Sequence, residues 1–196
     1  MATKGHVINV VTPCYALLTD EEKKTYETPV VFSKAMTVKV ETETSTETLS
    51  GDGADVDSYT GTGKTTIEMG VNDVPLKDQA VLLGHHFDST TGAMSIKAGD
   101  TAPYVALGWA LEKSNGKKQY RWYYKGKFEE ISEDVKQIEG GKATFSTPTL
   151  KGTFTNRVDG FKACKWDEDE GTTPAKDVLK TVTEPPAAAA ASVMKA

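Results

Sequence analysis

Two alternating segments joined by an Asn-Gly pair, between Tyr104 and Phe128, restrict this chain more than any other feature. In the first, Val105, Leu107, Trp109 and Leu111 fall on one face and smaller residues on the other. In the second, Gln119 to Phe128, Tyr120, Trp122 and Tyr124 alternate with Arg121, Tyr123 and Lys125. Ser114-Asn115-Gly116-Lys117 lies between them, and Asn-Gly tolerates the positive φ that a tight hairpin turn demands. Seven of the sixteen aromatic residues fall in this stretch, so the hairpin is expected to form the heart of the core.

The same period of two recurs elsewhere. Met36, Val38 and Val40 share a face, as do Ile67, Met69 and Val71, and further strands are predicted at 143–154 and 161–166. Pro148 inside the first of these predicts an edge or a bulge. One helix is predicted over 75–83, with Asn72 and Asp73 as capping candidates, Gly84 as a left-handed stop, and Leu76, Ala80 and Leu83 as its apolar stripe. Many strands beside one short amphipathic helix predict a mostly-β fold, a β-sandwich or partly closed barrel with one flanking α-helix.

Two segments read differently. Residues 41–63 are rich in Thr, Ser, Gly and Asp, carry six acidic residues and no Lys or Arg, and are expected to form a long acidic loop. After Glu184 come two prolines and five alanines, a low-complexity C-terminal tail.

Composition then removes function classes. With 196 residues, of which 38% are hydrophobic, the chain can bury a core without disulfides or metal. A net charge of −5 and only two arginines, Arg121 and Arg157, argue against general affinity for nucleic acid or an anionic membrane. Cys14 and Cys164 are expected to be buried free thiols. No signal-like apolar run opens the sequence, and nowhere do about 18 apolar residues run together, so a chain made and kept in a cytoplasm is expected.

No motif carries chemistry. Gly61-Thr62-Gly63-Lys64-Thr65-Thr66 approaches a phosphate-cradling loop, but Ser58 stands where that loop needs its first glycine, and Thr65 onward alternates as a strand. A glycine-rich turn is expected there. Adjacent His85 and His86 point to opposite sides of an extended chain and cannot both grip one metal. Asp167-Glu168-Asp169-Glu170 lacks the spacing and the turn glycine of a calcium loop, and reads as a solvated acidic turn. No catalytic, cofactor-binding or metal-ligating residues are assigned, no cofactor is expected, and the chain is not expected to be an enzyme.

The segments Ala102–Gly108, Ser114–Lys117 and Tyr120–Phe128 together resemble the major tail proteins of long-tailed (siphovirus-type) phages of Gram-positive bacteria. Glu47-Thr48-Leu49 before the acidic loop, the helix ending Leu83-Gly84-His85, and Phe145–Phe154 are similar in the same order. The resemblance spans roughly residues 15–169, and the Pro/Ala tail departs from it. It implies a tail-tube-like β domain over 1–182 followed by a tail at 183–196. It also implies a function: six copies form a ring, rings stack into a virion tail tube assembled in the host cytoplasm, and double-stranded DNA passes through without specific binding. The implied partners are other copies of the chain and further tail proteins at the tube ends, with no membrane.

On that reading Leu49, Val56 and Tyr59 are expected to anchor the acidic loop on an adjacent subunit. There its charge would meet the basic hairpin that carries Lys117, Lys118 and Lys125. The rival reading is a monomeric β-sandwich recognition module, for example a carbohydrate binder, and it requires Trp122 and Tyr124 to be exposed.

Overall fold

A computed structural model describes residues 4–51, 54–132, 137–138, 145–171 and 177–186. The Pro/Ala run from 187 onward and the start of the strand predicted at 143 lie outside them. The strands are β1 (Val7–Asp20), β2 (Thr25–Tyr26), β3 (Val30–Val31), β4 (Ala35–Gly51), β5 (Ala54–Val71), β6 (His86–Asp88), β7 (Ala93–Ser95), β8 (Val105–Lys113), β9 (Lys118–Phe128), β10 (Thr149–Phe154) and β11 (Ala163–Asp167). The α-helix among the described residues is α1 (Leu76–Leu83).

The main sheet is antiparallel and runs β2-β1-β8-β9-β10-β5-β4, with β3 added to β1 and β11 to β9. The mostly-β architecture with one helix agrees with the sequence reading, but the sheet is open: its outer strands do not pair, so no barrel closes. It forks at β9. One edge of β9 pairs with β8, while the other serves β11 through Gln119–Tyr123 and β10 through Gly126–Phe128.

This fork buries both faces of the aromatic hairpin. On one face Trp109 stacks on Tyr123 with centroids 5.5 Å apart, and Phe154 meets Tyr123 edge-on. Ile67, Met69 and Val71 of β5 and Leu82 and Leu83 of α1 close that core. On the other face Trp122 and Tyr124 pack with Cys14, Ala106, Cys164 and Val178. The small residues of β8 make this second layer possible, because a Cβ at Gly108 would come within 2.8 Å of the Trp122 ring. Both cysteines are free, and burial pushes the Cys14 thiol up to about 12. The hairpin turn falls where expected, but Gly116 alone adopts positive φ (80°), and Lys113 N–H donates to Lys117.

Several expectations are corrected. Residues 41–51 and 54–63 are not loop. They are the distal halves of β4 and β5, paired out to Gly51 and Ala54, because alternating threonines are strong strand formers. The Gly61–Thr66 segment is strand for the same reason and not a turn. Strand β10 begins after Pro148 and lies between β9 and β5, so the proline ends up outside the ladder rather than marking an edge. In α1 Leu76 is exposed and Leu82 is buried, and no side chain caps the N-terminus, since Asn72 Oδ1 instead accepts from Lys34 N–H and Ser33 Oγ. Gly84 does stop the helix in the left-handed region, at φ 77°.

Candidate assembly interface

The distal part of the β4–β5 hairpin leaves the body at a bulge. Thr42 pairs with Thr65 and Thr44 with Thr62, so the single residue Glu43 faces both Gly63 and Lys64. Thr65 is fully buried, whereas every described side chain of residues 41–50 and 55–60 is exposed. From Thr42 the arm reaches about 30 Å at the usual strand rise. Strand β5 pairs with β10 only up to Thr65, and among the described residues β4 has no other strand along its outer edge. Apart from Gly63, whose carbonyl accepts from Lys162 Nζ, both edges of the arm are thus bare of described strands, and no lysine or proline lies within 41–63.

The arm has two unlike faces, because opposed residues of an antiparallel pair point the same way. One face carries Glu43, Ser45, Glu47 and Leu49 across from Gly61, Tyr59 and Asp57. The other carries Thr44, Thr46 and Thr48 across from Thr62, Thr60 and Ser58, with the Thr46 and Thr60 hydroxyls 3.1 Å apart. Leu49 (65% exposed) and Tyr59 (75%) thus sit among the carboxylates, while Val56 (68%) lies at a second bulge near the tip.

The basic hairpin does not offer the free cations that the sequence suggested. Lys117 reaches Asp169 at 3.1 Å, Lys118 reaches Glu112 at 3.7 Å and Lys125 reaches Glu21 at 2.7 Å. Lys113, only 6% exposed, lies between Asp167 and Asp169, the latter at 2.8 Å. Its hydrogen bond, working against burial, holds Asp169 well below the usual carboxylate range. Asp169 also accepts Gly5 N–H. The acidic turn at 167–170 is thus an internal clamp on the hairpin tip and the N-terminal segment, where a solvated turn was expected.

Two further charged centres were not legible in the sequence. Arg157, its side chain fully buried, forms ion pairs with Asp159 and Glu184 and so fastens residues 177–186 across the second core. Trp122 Nε1 and Tyr124 Oη donate to Val178 and Thr183 carbonyls in the same segment. His85 has a nearly buried side chain, with Nδ1 2.9 Å from Asp100 and Nε2 3.1 Å from Glu130, while His86 is exposed on the opposite side as the extended backbone requires. Asp159 is two residues from Arg157, but Glu184, Asp100 and Glu130 lie 27, 15 and 45 positions from their mates, and no sequence signal marked those pairs.

Trp122 and Tyr124 are both fully buried, which removes the sugar platform that the rival reading needs. An open hollow of about 620 Å³ is lined by Glu68, Glu129, Glu130 and Lys151, and Lys151 is already paired with Glu129. Among the described residues no group of three metal-ligating side chains lies together, and no helix is long and apolar enough to cross a membrane.

Among solved structures, two chains of the anti-feeding prophage are similar to this one. A chain of the anti-feeding prophage cap, a tube terminating cap seen by cryo-EM, is 8% identical with a TM-score of 0.46, over 85% of this chain and 95% of that one. A chain of the six-fold symmetrised anti-feeding prophage baseplate is 12% identical with a TM-score of 0.41, over 84% and 97%. At that depth neither similarity carries weight beyond itself. No protein-family model matches the chain, and no curated protein matches it by sequence.

Proposed function

We propose that this chain is a structural, non-catalytic subunit that assembles with copies of itself into stacked hexameric rings, forming a phage tail tube through which DNA is delivered. The observation that carries the reading is the β4–β5 arm: about 30 Å of two-stranded sheet with bare edges, projecting from a well-packed body. An isolated two-stranded ribbon is marginal in water, so a partner that extends or covers it adds what the monomer lacks. The body has a second bare edge along Val7–Val11 of β1, where Val7 and Ile8 are exposed, and ring closure would pair such edges.

Passage of DNA fits the charge distribution. The subunit is acidic overall, Arg157 is neutralised internally, and Lys113, Lys117, Lys118 and Lys125 of the aromatic hairpin have carboxylate partners, while Lys127 lies over the Tyr104 ring. An acidic subunit whose buried arginine is neutralised disfavours phosphate binding by counterion release, so a wall built from this chain would let DNA slide.

Negative-stain microscopy and sedimentation of the purified protein test the reading. Rings or tubes of uniform width are expected for the wild type, and monomers of unchanged thermal stability when residues 50–60 are deleted. A wild type that stays monomeric at high concentration, or a deletion that still forms tubes, would rule it out.

A further inference from the structure

The alternation of the arm continues that of the body. On β4 the core-facing set is Val38 and Val40, and the same register carries on as Thr42, Thr44, Thr46 and Thr48. On β5 Met69 and Ile67 give way to Thr65 and then, past the bulge, to Thr62, Thr60 and Ser58. The opposite register is solvent-facing throughout: Lys39, paired with Glu41, leads on to Glu43 and Glu47. The chain thus keeps its inside and outside along the described hairpin, but beyond Thr65 the described side chains on the inside are exposed. Valine is replaced there by threonine, which has the same branched shape and one hydroxyl. Two cross-strand pairs on this face, Thr42–Thr65 at 2.9 Å and Thr46–Thr60 at 3.1 Å, satisfy hydroxyls within the arm itself. Hydroxyls paired in this way cost less to bury than unpaired ones, and a threonine face carries no charge for burial to strand.

We infer that the hydroxyl face of the arm, and not its acidic face, is the surface buried against a second copy of this chain. This deepens the self-assembly reading and rests on it. Charge selects the occupant. The acidic face sets Glu43, Glu47 and Asp57 around Leu49 and Tyr59. Another copy would have to meet those carboxylates with cations, yet the hairpin lysines at 113, 117, 118 and 125 are engaged inside their own subunit. Packing the uncharged face avoids both like-charge contact and the burial of unpaired carboxylates. The carboxylates then stay in water, where they limit indiscriminate association.

Two neighbouring residues give a charge-matched test, since Ser45 and Thr46 lie on opposite faces and both are neutral. Thr46→Lys is expected to raise the concentration at which wild-type assemblies form by at least about tenfold, as expected for burying an unpaired ammonium. Ser45→Lys is expected to change it by less than about twofold. Both variants should melt with the wild type as monomers, because neither site touches a core. If Ser45→Lys is as damaging as Thr46→Lys or more so, the face assignment is wrong while self-assembly stands. If the wild type itself never assembles, both fail together.

Discussion

The chain contains two long antiparallel hairpins built on the same alternation, and they come to opposite ends. In the β8–β9 hairpin both registers are buried, one against β5, β10 and α1 and the other against β11 and residues 177–186. In the distal β4–β5 hairpin neither register is buried. The period of two places side chains on faces in each case, and what differs is the supply of partners. Residues Ala106, Gly108 and Ala110 leave room on β8 for a second layer, and aromatic bulk fills it. The arm has strand pairing and one cross-strand hydroxyl bond, Thr46–Thr60, but no described layer packed on either face. A hairpin held by packing should be sensitive to truncation, and one held by pairing and propensity should not.

The largest expected effect is in the body. Trp109→Ala removes a fully buried ring from its stack on Tyr123 and should cost about 3–5 kcal/mol of unfolding free energy in urea denaturation. A loss below about 1 kcal/mol would mean the aromatic hairpin is not the centre of the core. Arg157→Met comes next, at about 2 kcal/mol, since Asp159 and the half-exposed Glu184 would lose their cation. Protease cleavage near residues 177–186 should rise with it.

A smaller effect should depend on pH. The bond to Asp100, aided by Glu130 and opposed by burial, raises the pKa of His85 above its ordinary value of 6.5. Stability from this group is then fully present below about pH 6.5 and fades as pH climbs through the raised value. Melting temperatures of wild type and His85→Gln should converge across that window, and a gap that widens with pH would contradict the assignment. The smallest effect is in the arm, where Thr46→Ala should change monomer stability by less than about 0.5 kcal/mol. A larger loss would show that the arm is held by more than pairing.

Much of the body was legible because local rules decide it. The turn at Gly116, the stop at Gly84 and the strands through Val38, Ile67, Trp109 and Tyr123 follow from glycine conformation and period-two patterning. Length and polar composition suggest a loop for the arm, although the threonines at 42, 44, 46 and 48 alternate with Glu41, Glu43, Ser45 and Glu47. The pairing of the hairpin lysines is hidden for another reason: Lys113 and Asp169 are 56 positions apart, and no spacing announces that pair.

By itself, the sequence determined which side chains share a face, where the body hairpin turns and where the helix ends, because backbone stereochemistry sets these within a few residues. Only the tertiary structure decided which faces acquire partners. Burial and charge pairing depend on strands brought together from distant parts of the chain, so the same alternation became a doubly buried core in one hairpin and a bare arm in the other.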